Sequence, residues 1–187
     1  MLSAREIFLS LYGVWRLAHL DSGGLAFFNR TPSGALRSFV VAGFVAPVYA
    51  LDVFVGFRTG QKVSVVPYAL VELIAYVMAW VAYPVVLEAL SDILRCRENF
   101  EEYLTAYNWS IALQNLIFVP LDLVVMLRLV GPDTGQALWL VAFLAMGGFL
   151  WFIARNALRV PPLTAAGLVL LDVLLSVLID GIAARLY

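Results

Sequence analysis

Residues 64–87 read SVVPYALVELIAYVMAWVAYPVVL, a stretch in which Glu72 is the one charged side chain. As a helix it rises about 36 Å at 1.5 Å per residue, enough to cross the roughly 30 Å hydrocarbon core of a bilayer. Working outward, four more stretches of the same kind lie at about 36–57, 104–127, 136–154 and 161–182, separated by short loops. Composition agrees with that count. Of the 187 residues, 63% are apolar and 13% charged, where a soluble domain runs near 45–50% and about 25%. The mean hydropathy is +0.93. A soluble globular domain is excluded, and the expected class is an all-α, polytopic membrane protein.

Residues 1–34 are expected to form an N-terminal amphipathic helix and lead-in, and 35–187 a five-helix transmembrane bundle. Ser3-Ala4-Arg5-Glu6 is a capping box that starts the first helix. On it Ile7, Leu11, Val14, Trp15 and Ala18 share one face, with Arg5 and Arg16 opposite, the pattern of a helix lying in the membrane interface; Leu9, Leu17 and Leu20 break it. Arg5, Arg16, Arg30, Arg37, Arg95, Arg97, Arg155 and Arg159 fall on one side of the membrane, and Arg58, Lys62, Arg128 and Arg185 on the other. The excess puts the N-terminus in the cytoplasm and the C-terminus outside. Trp109 and Trp151 would then mark the inner interface and Trp139 the outer one.

The net charge of −1 offers no footprint for nucleic acid. One cysteine, Cys96, and one histidine, His19, give no disulfide and no His-based metal site. Motifs for metalloprotease, nucleophilic-serine, phosphate-binding or paired-glutamate protease chemistry are missing, so no enzyme and no cofactor is expected.

The informative residues are acids inside apolar spans. Asp172 lies near the middle of its span, Glu72 roughly 5 Å outward, and Asp52 and Asp122 roughly 8–10 Å outward. At such depths a carboxylate faces the bundle interior, is protonated, or is paired. Polar company recurs at helical spacing: Asn108, Asn115 and Asp122 every seven residues, Asp172, Ser176 and Asp180 every four, and Tyr68, Glu72, Tyr76 and Tyr83 on one face. Two readings follow. Either the stripes hydrogen-bond neighbouring helices and specify packing, or Glu72 and Asp172 exchange protons or hold a cation. For Asp52 and Asp122, the nearby Arg58, Lys62 and Arg128 are expected partners. On the cytoplasmic side Arg95, Arg97, Phe100, Glu101 and Glu102, with Trp15 of the first helix, are the candidate face for a partner. Cys96 is read as an ordinary interfacial thiol, with acylation or a lowered thiol pKa as the alternatives.

The amphipathic lead-in, the five short-looped spans, the charged segment Arg95–Tyr103 and the re-entry Phe100-x-x-Tyr103-Leu104-x-x-Tyr107-x-Trp109-Ser110 together resemble the Yip-domain (Ypt-interacting protein) family over Phe28 to Leu186. Thr31-Pro32-Ser33-Gly34 stands where eukaryotic members carry Asp-Leu-Tyr-Gly-Pro. With eleven arginines to one lysine, the likeness is to a bacterial inner-membrane branch, for which the resemblance implies the fold and no assigned chemistry. The expected function is therefore non-enzymatic: a membrane-organising or partner-binding protein of the lipid bilayer, acting on a membrane-protein partner or as a homo-oligomer. The alternatives are a small proton- or cation-conducting protein using its intramembrane carboxylates, and an accessory subunit of a larger membrane complex.

Overall fold

The computed structural model describes residues 3–60 and 64–186, and among these every regular element is a helix. Helix α1 (Ala4–Ala18) is followed by a 3₁₀ turn at Ser22–Phe27, then α2 (Pro32–Ser38), α3 (Val40–Gly60), α4 (Val65–Ser91), α5 (Phe100–Met126), α6 (Pro132–Ala157) and α7 (Pro162–Ala183). Helices α2 and α3 continue each other across Phe39 as one span, so that five spans among the described residues are long and apolar enough to cross a membrane. Proline sets several starts. Pro32, Pro132 and Pro162 occupy the first turn, where the missing N–H costs nothing and the fixed φ suits the helix. The first span therefore begins within the segment expected to be lead-in, and the Thr31 hydroxyl caps it by accepting from Gly34 N at 3.0 Å.

Helix α5 is central, packing against α1, α2, α3 and α6, while α7 packs against α4 and α6. The core sits at the end of the bundle where α5 begins. Leu17, Leu87, Ala106, Ile153, Ala154 and Ala157 are wholly buried there, and α5 is buried almost continuously from Glu102 to Ser110. Trp109 belongs to this core at 3% exposure, which removes it from an aromatic belt. By helix order the eight arginines counted above on one side gather at this packed end.

Helix α1 is docked on that end, and its faces differ from the expected ones. Ser10, Gly13, Val14 and Leu17 are buried, whereas Phe8, Leu11, Tyr12 and Trp15 are exposed. Leu17 and Val14 anchor the helix, and Leu11 and Trp15 point away. Ser3 accepts from Glu6 N at 3.1 Å as a capping residue should. Glu6 does not close the box. Its carboxylate accepts from Asn29 Nδ2 and from the Arg37 guanidinium, each at 3.1 Å, tying α1 to α2. The hydrogen bond from Arg16 holds the Asp21 carboxyl below its ordinary range.

Arg159, just after α6, is left-handed with a φ of 55°, and three further helices end in left-handed residues that are not glycine: Leu20, Arg95 and Arg128, with φ of 58°, 55° and 55°. Each of these three is followed by an amide that reaches five residues back, as Cys96 N does to Ser91 O at 2.9 Å, a C-terminal motif that ordinarily selects glycine. Arg95 is exposed and has no ion pair among the described residues. Arg95→Gly is therefore expected to stabilise the protein by about 0.5–1 kcal/mol, since it relieves the Cβ contact of the left-handed conformation. A lower midpoint of thermal unfolding in detergent would show instead that the arginine's charge at the helix C-terminus outweighs that strain.

Candidate functional site: carboxylates in two intramembrane cavities

Glu72 is flanked on α4 by Tyr68 and Tyr76, four residues to either side and thus on the same helix face. That face looks toward α3, where the Tyr49 hydroxyl donates to Glu72 Oε2 at 2.8 Å and the Tyr49 and Tyr76 ring centroids are 4.7 Å apart. Tyr76 in turn donates to the Ala42 carbonyl at 2.5 Å. Ala46 and Ala50 on α3 and Ala69 on α4 are too small to fill the space between the helices, and a cavity of about 460 Å³ remains, with Glu72 in its wall.

A second cavity, of about 310 Å³ and open at one side, lies between α5, α6 and α7, with Trp139 43% exposed and Ser176 and Asp180 exposed along its rim. Asp122 and Gln114 of α5 and Asp172, Ser176 and Asp180 of α7 line it, together with Phe118, Trp139 and Phe143. The four-residue spacing of Asp172, Ser176 and Asp180 puts all three on the α7 face turned to the cavity. Tyr107 of α5 donates to Asp172 Oδ1 at 2.8 Å, and the Ser176 hydroxyl donates back to the Asp172 carbonyl at 3.0 Å. Toward the packed end the rings of Tyr83, Tyr103 and Tyr107 cluster, with Tyr83 and Tyr103 sharing a hydroxyl hydrogen bond of 2.7 Å.

The sequence stripes are only partly brought together. Glu72 and Asp172 lie in the walls of different cavities. Asn108 is fully buried at the contact with α2, where its Nδ2 donates to Ser38 Oγ at 2.8 Å, and Asn115 bonds the Ile111 carbonyl of its own helix. Of the α5 stripe, Asp122 lines the second cavity. Asp180, Tyr49, Tyr107 and Trp139 join the sites without having been singled out as candidates. For Asp180 the signal was present in its spacing from Asp172; for Tyr49 there was none.

Asp52 lies in electrostatic reach of Glu72 and of Asp122, and Asp180 in reach of Glu72, all four in the half of the bundle away from the packed end. Asp52 Oδ1 is buried with no hydrogen-bond partner. The pairing expected from Arg58 and Arg128 does not occur; Lys62 lies outside the described residues. Among the described residues the ion pairs lie at the packed end: Arg16–Asp21, Arg30–Glu102, Arg37–Glu6, Arg159–Glu102, and Arg97 with Glu88 and Glu101. No group of three or more His, Cys, Asp or Glu among the described residues is arranged to hold a metal ion.

The candidate partner face is also rearranged. Phe100 and Glu102 are each 6% exposed and belong to the interior of the packed end. Glu102 is held by Arg30 at 3.1 Å and Arg159 at 3.6 Å, and Arg97 lies over the Phe100 ring while bridging Glu88 and Glu101. Arg95 and Trp15 remain on the surface. Cys96 is 1% exposed, and burial pushes its thiol pKa up, the reverse of an activated thiolate. The chain matches no known family model, no curated protein and no solved structure.

Proposed function

We propose that this multi-pass membrane protein is a non-enzymatic, cation-handling protein of a bacterial inner membrane, with its packed, arginine-rich end in the cytoplasm. One observation carries the reading: Asp122, Asp172 and Asp180, from two helices, line one cavity, and none of these three is in an ion pair among the described residues. Carboxylates within the hydrocarbon layer are costly unless a proton or another cation neutralises them, so such a cavity favours uptake of positive charge. Purified protein in liposomes is expected to dissipate an imposed pH gradient faster than empty liposomes. Asp172→Asn keeps hydrogen-bonding shape but cannot titrate, and is expected to remove the excess while helicity persists. Liposomes as tight with protein as without it would overturn the proposal.

A second reading, membrane organisation or partner binding as the Yip-like resemblance implies, is favoured by the exposed row Phe8, Leu11, Tyr12 and Trp15 on α1. Under it the liposomes stay tight, and cross-linking from Trp15 recovers a second copy or a membrane-protein partner, as an accessory subunit would also give.

A further inference from the structure

We infer that the cavity between α5, α6 and α7 binds an organic ammonium, a positively charged nitrogen carried on a small aromatic or branched apolar body. This rests on the cation reading above and names its substrate class. A proton needs only a titratable relay, whereas here the carboxylates stand around about 310 Å³ of space, within the roughly 300–1,000 Å³ range of small-molecule pockets. A bare metal ion needs several oxygens converging on one point, and among the described residues no three His, Cys, Asp or Glu side chains are so arranged. Asp122, Asp172 and Asp180 are instead distributed along the wall, a layout that suits a bulky cation.

The rest of the wall supplies what such a cation recognises. Trp139 and Phe143 are stacked at 5.3 Å with an interplanar angle of 10°, and Phe118 lies 5.9 Å from Trp139. Aromatic faces carry negative electrostatic potential and attract ammonium groups, tryptophan most strongly, and the attraction grows where water is excluded. Asp122 adjoins Trp139, so a formal charge and the best aromatic face lie together. Tyr107, donating to Asp172 Oδ1, fixes that carboxylate's orientation from outside the cavity. Apolar faces take the organic body, and the acids on α5 and α7 take the nitrogen.

The test uses the full-length protein in detergent, with phenyltrimethylammonium as probe and benzenesulfonate as the anion of similar size, both measured by isothermal titration calorimetry. A quaternary ammonium has no proton to give, which separates this site from proton binding. Saturable binding of the ammonium is expected, with the sulfonate weaker by at least about tenfold. Asp172→Asn and Trp139→Leu should each weaken the ammonium by about tenfold, Trp139→Phe should recover part of the loss, and Asp133→Asn, at the start of α6 outside the cavity, should leave it unchanged. If Asp172→Asn does not fold by circular dichroism, Asp122→Asn takes its place, and the comparison of the two ions on the natural protein stands by itself. Equal affinity for both ions, or no saturable ammonium binding, overturns the inference. A pH-gradient leak without ammonium binding removes the inference and leaves the cation reading. Ammonium binding with tight liposomes leaves the inference standing and removes proton conduction from the cation reading.

Discussion

Removing Arg30 and Arg159 together is expected to destabilise the protein by about 3–5 kcal/mol, because it leaves Glu102 buried with no cation. Glu102 is 6% exposed at the start of α5, the helix on which α1, α2, α3 and α6 all pack, so the cost falls where the bundle has most to lose. Each arginine alone should matter far less. Arg30 and Arg159 are about half or more exposed and pair at 3.1 and 3.6 Å, so losing one leaves the other in place, a change of about 1 kcal/mol. The signature is thus a double-mutant cycle that is strongly non-additive. Adding Glu102→Met to the double variant should recover most of the loss, since an apolar side chain needs no partner there. Small, additive effects in chemical unfolding would mean that Glu102 keeps a solvated route of its own.

Gly24→Ala is the second large effect. A Cβ at Gly24 would stand 2.5 Å from the Gly13 carbonyl oxygen and 3.0 Å from Leu17 Cγ, while one at Gly13 would meet the Phe28 ring at 2.9 Å and Gly24 O at 3.0 Å. Two glycines therefore let α1 and the 3₁₀ turn touch backbone to backbone. Because the obstruction at Gly24 includes main chain, the helix must move, at a cost of about 1–3 kcal/mol or more. The expected readout is local: amides of α1 exchange hydrogen much faster, while the five spans keep their protection. Gly43, Gly147, Gly148, Gly167 and Gly181 serve as the contrast, since a Cβ there meets nothing within 4 Å. Alanine at those helical sites should be neutral or stabilising by about 0.5–1 kcal/mol. Unchanged α1 protection in Gly24→Ala would contradict the close approach.

The spans were legible because apolar length is a property of contiguous residues, and residues 64–87 by themselves nearly delimit α4. Two of their starts were less so: Pro32 and Pro132 begin helices a few residues before the expected 36 and 136, whereas Pro162 falls within one residue of the expected 161. The faces of α1 were misjudged for a different reason. Leu17 looks like a break in the amphipathic pattern only if the membrane is what α1 buries against; in fact protein covers one face and Phe8, Leu11, Tyr12 and Trp15 make a second apolar row. Likewise the charges of residues 95–103 say where the chain leaves the hydrocarbon, not what lies across from them, and Glu102 turned inward because Arg30 and Arg159, distant in sequence, meet it there. For the acids, the span that carries each was readable from position. Which cavity each enters depends on helix neighbours, and no local pattern announces that α3 packs on α5 and α4 on α7.

That arrangement bears on how the protein is made. As the ribosome delivers the chain, α3 and α4 emerge in succession, yet each finds its main neighbour later: α3 when α5 enters the bilayer, α4 when α7, the last of the spans described, does. Until then the two sit side by side in lipid, joined by the Tyr49–Glu72 hydrogen bond and by Tyr76 on the Ala42 carbonyl, while Asp52 has yet to be enclosed by the finished bundle. The nascent protein is thus a set of independently inserted helices that condenses late and from the centre outward, α5 first gathering its neighbours and α7 closing the ring. Quality-control factors that recognise exposed polar groups in the membrane would have their longest opportunity during the interval between the synthesis of α4 and that of α7.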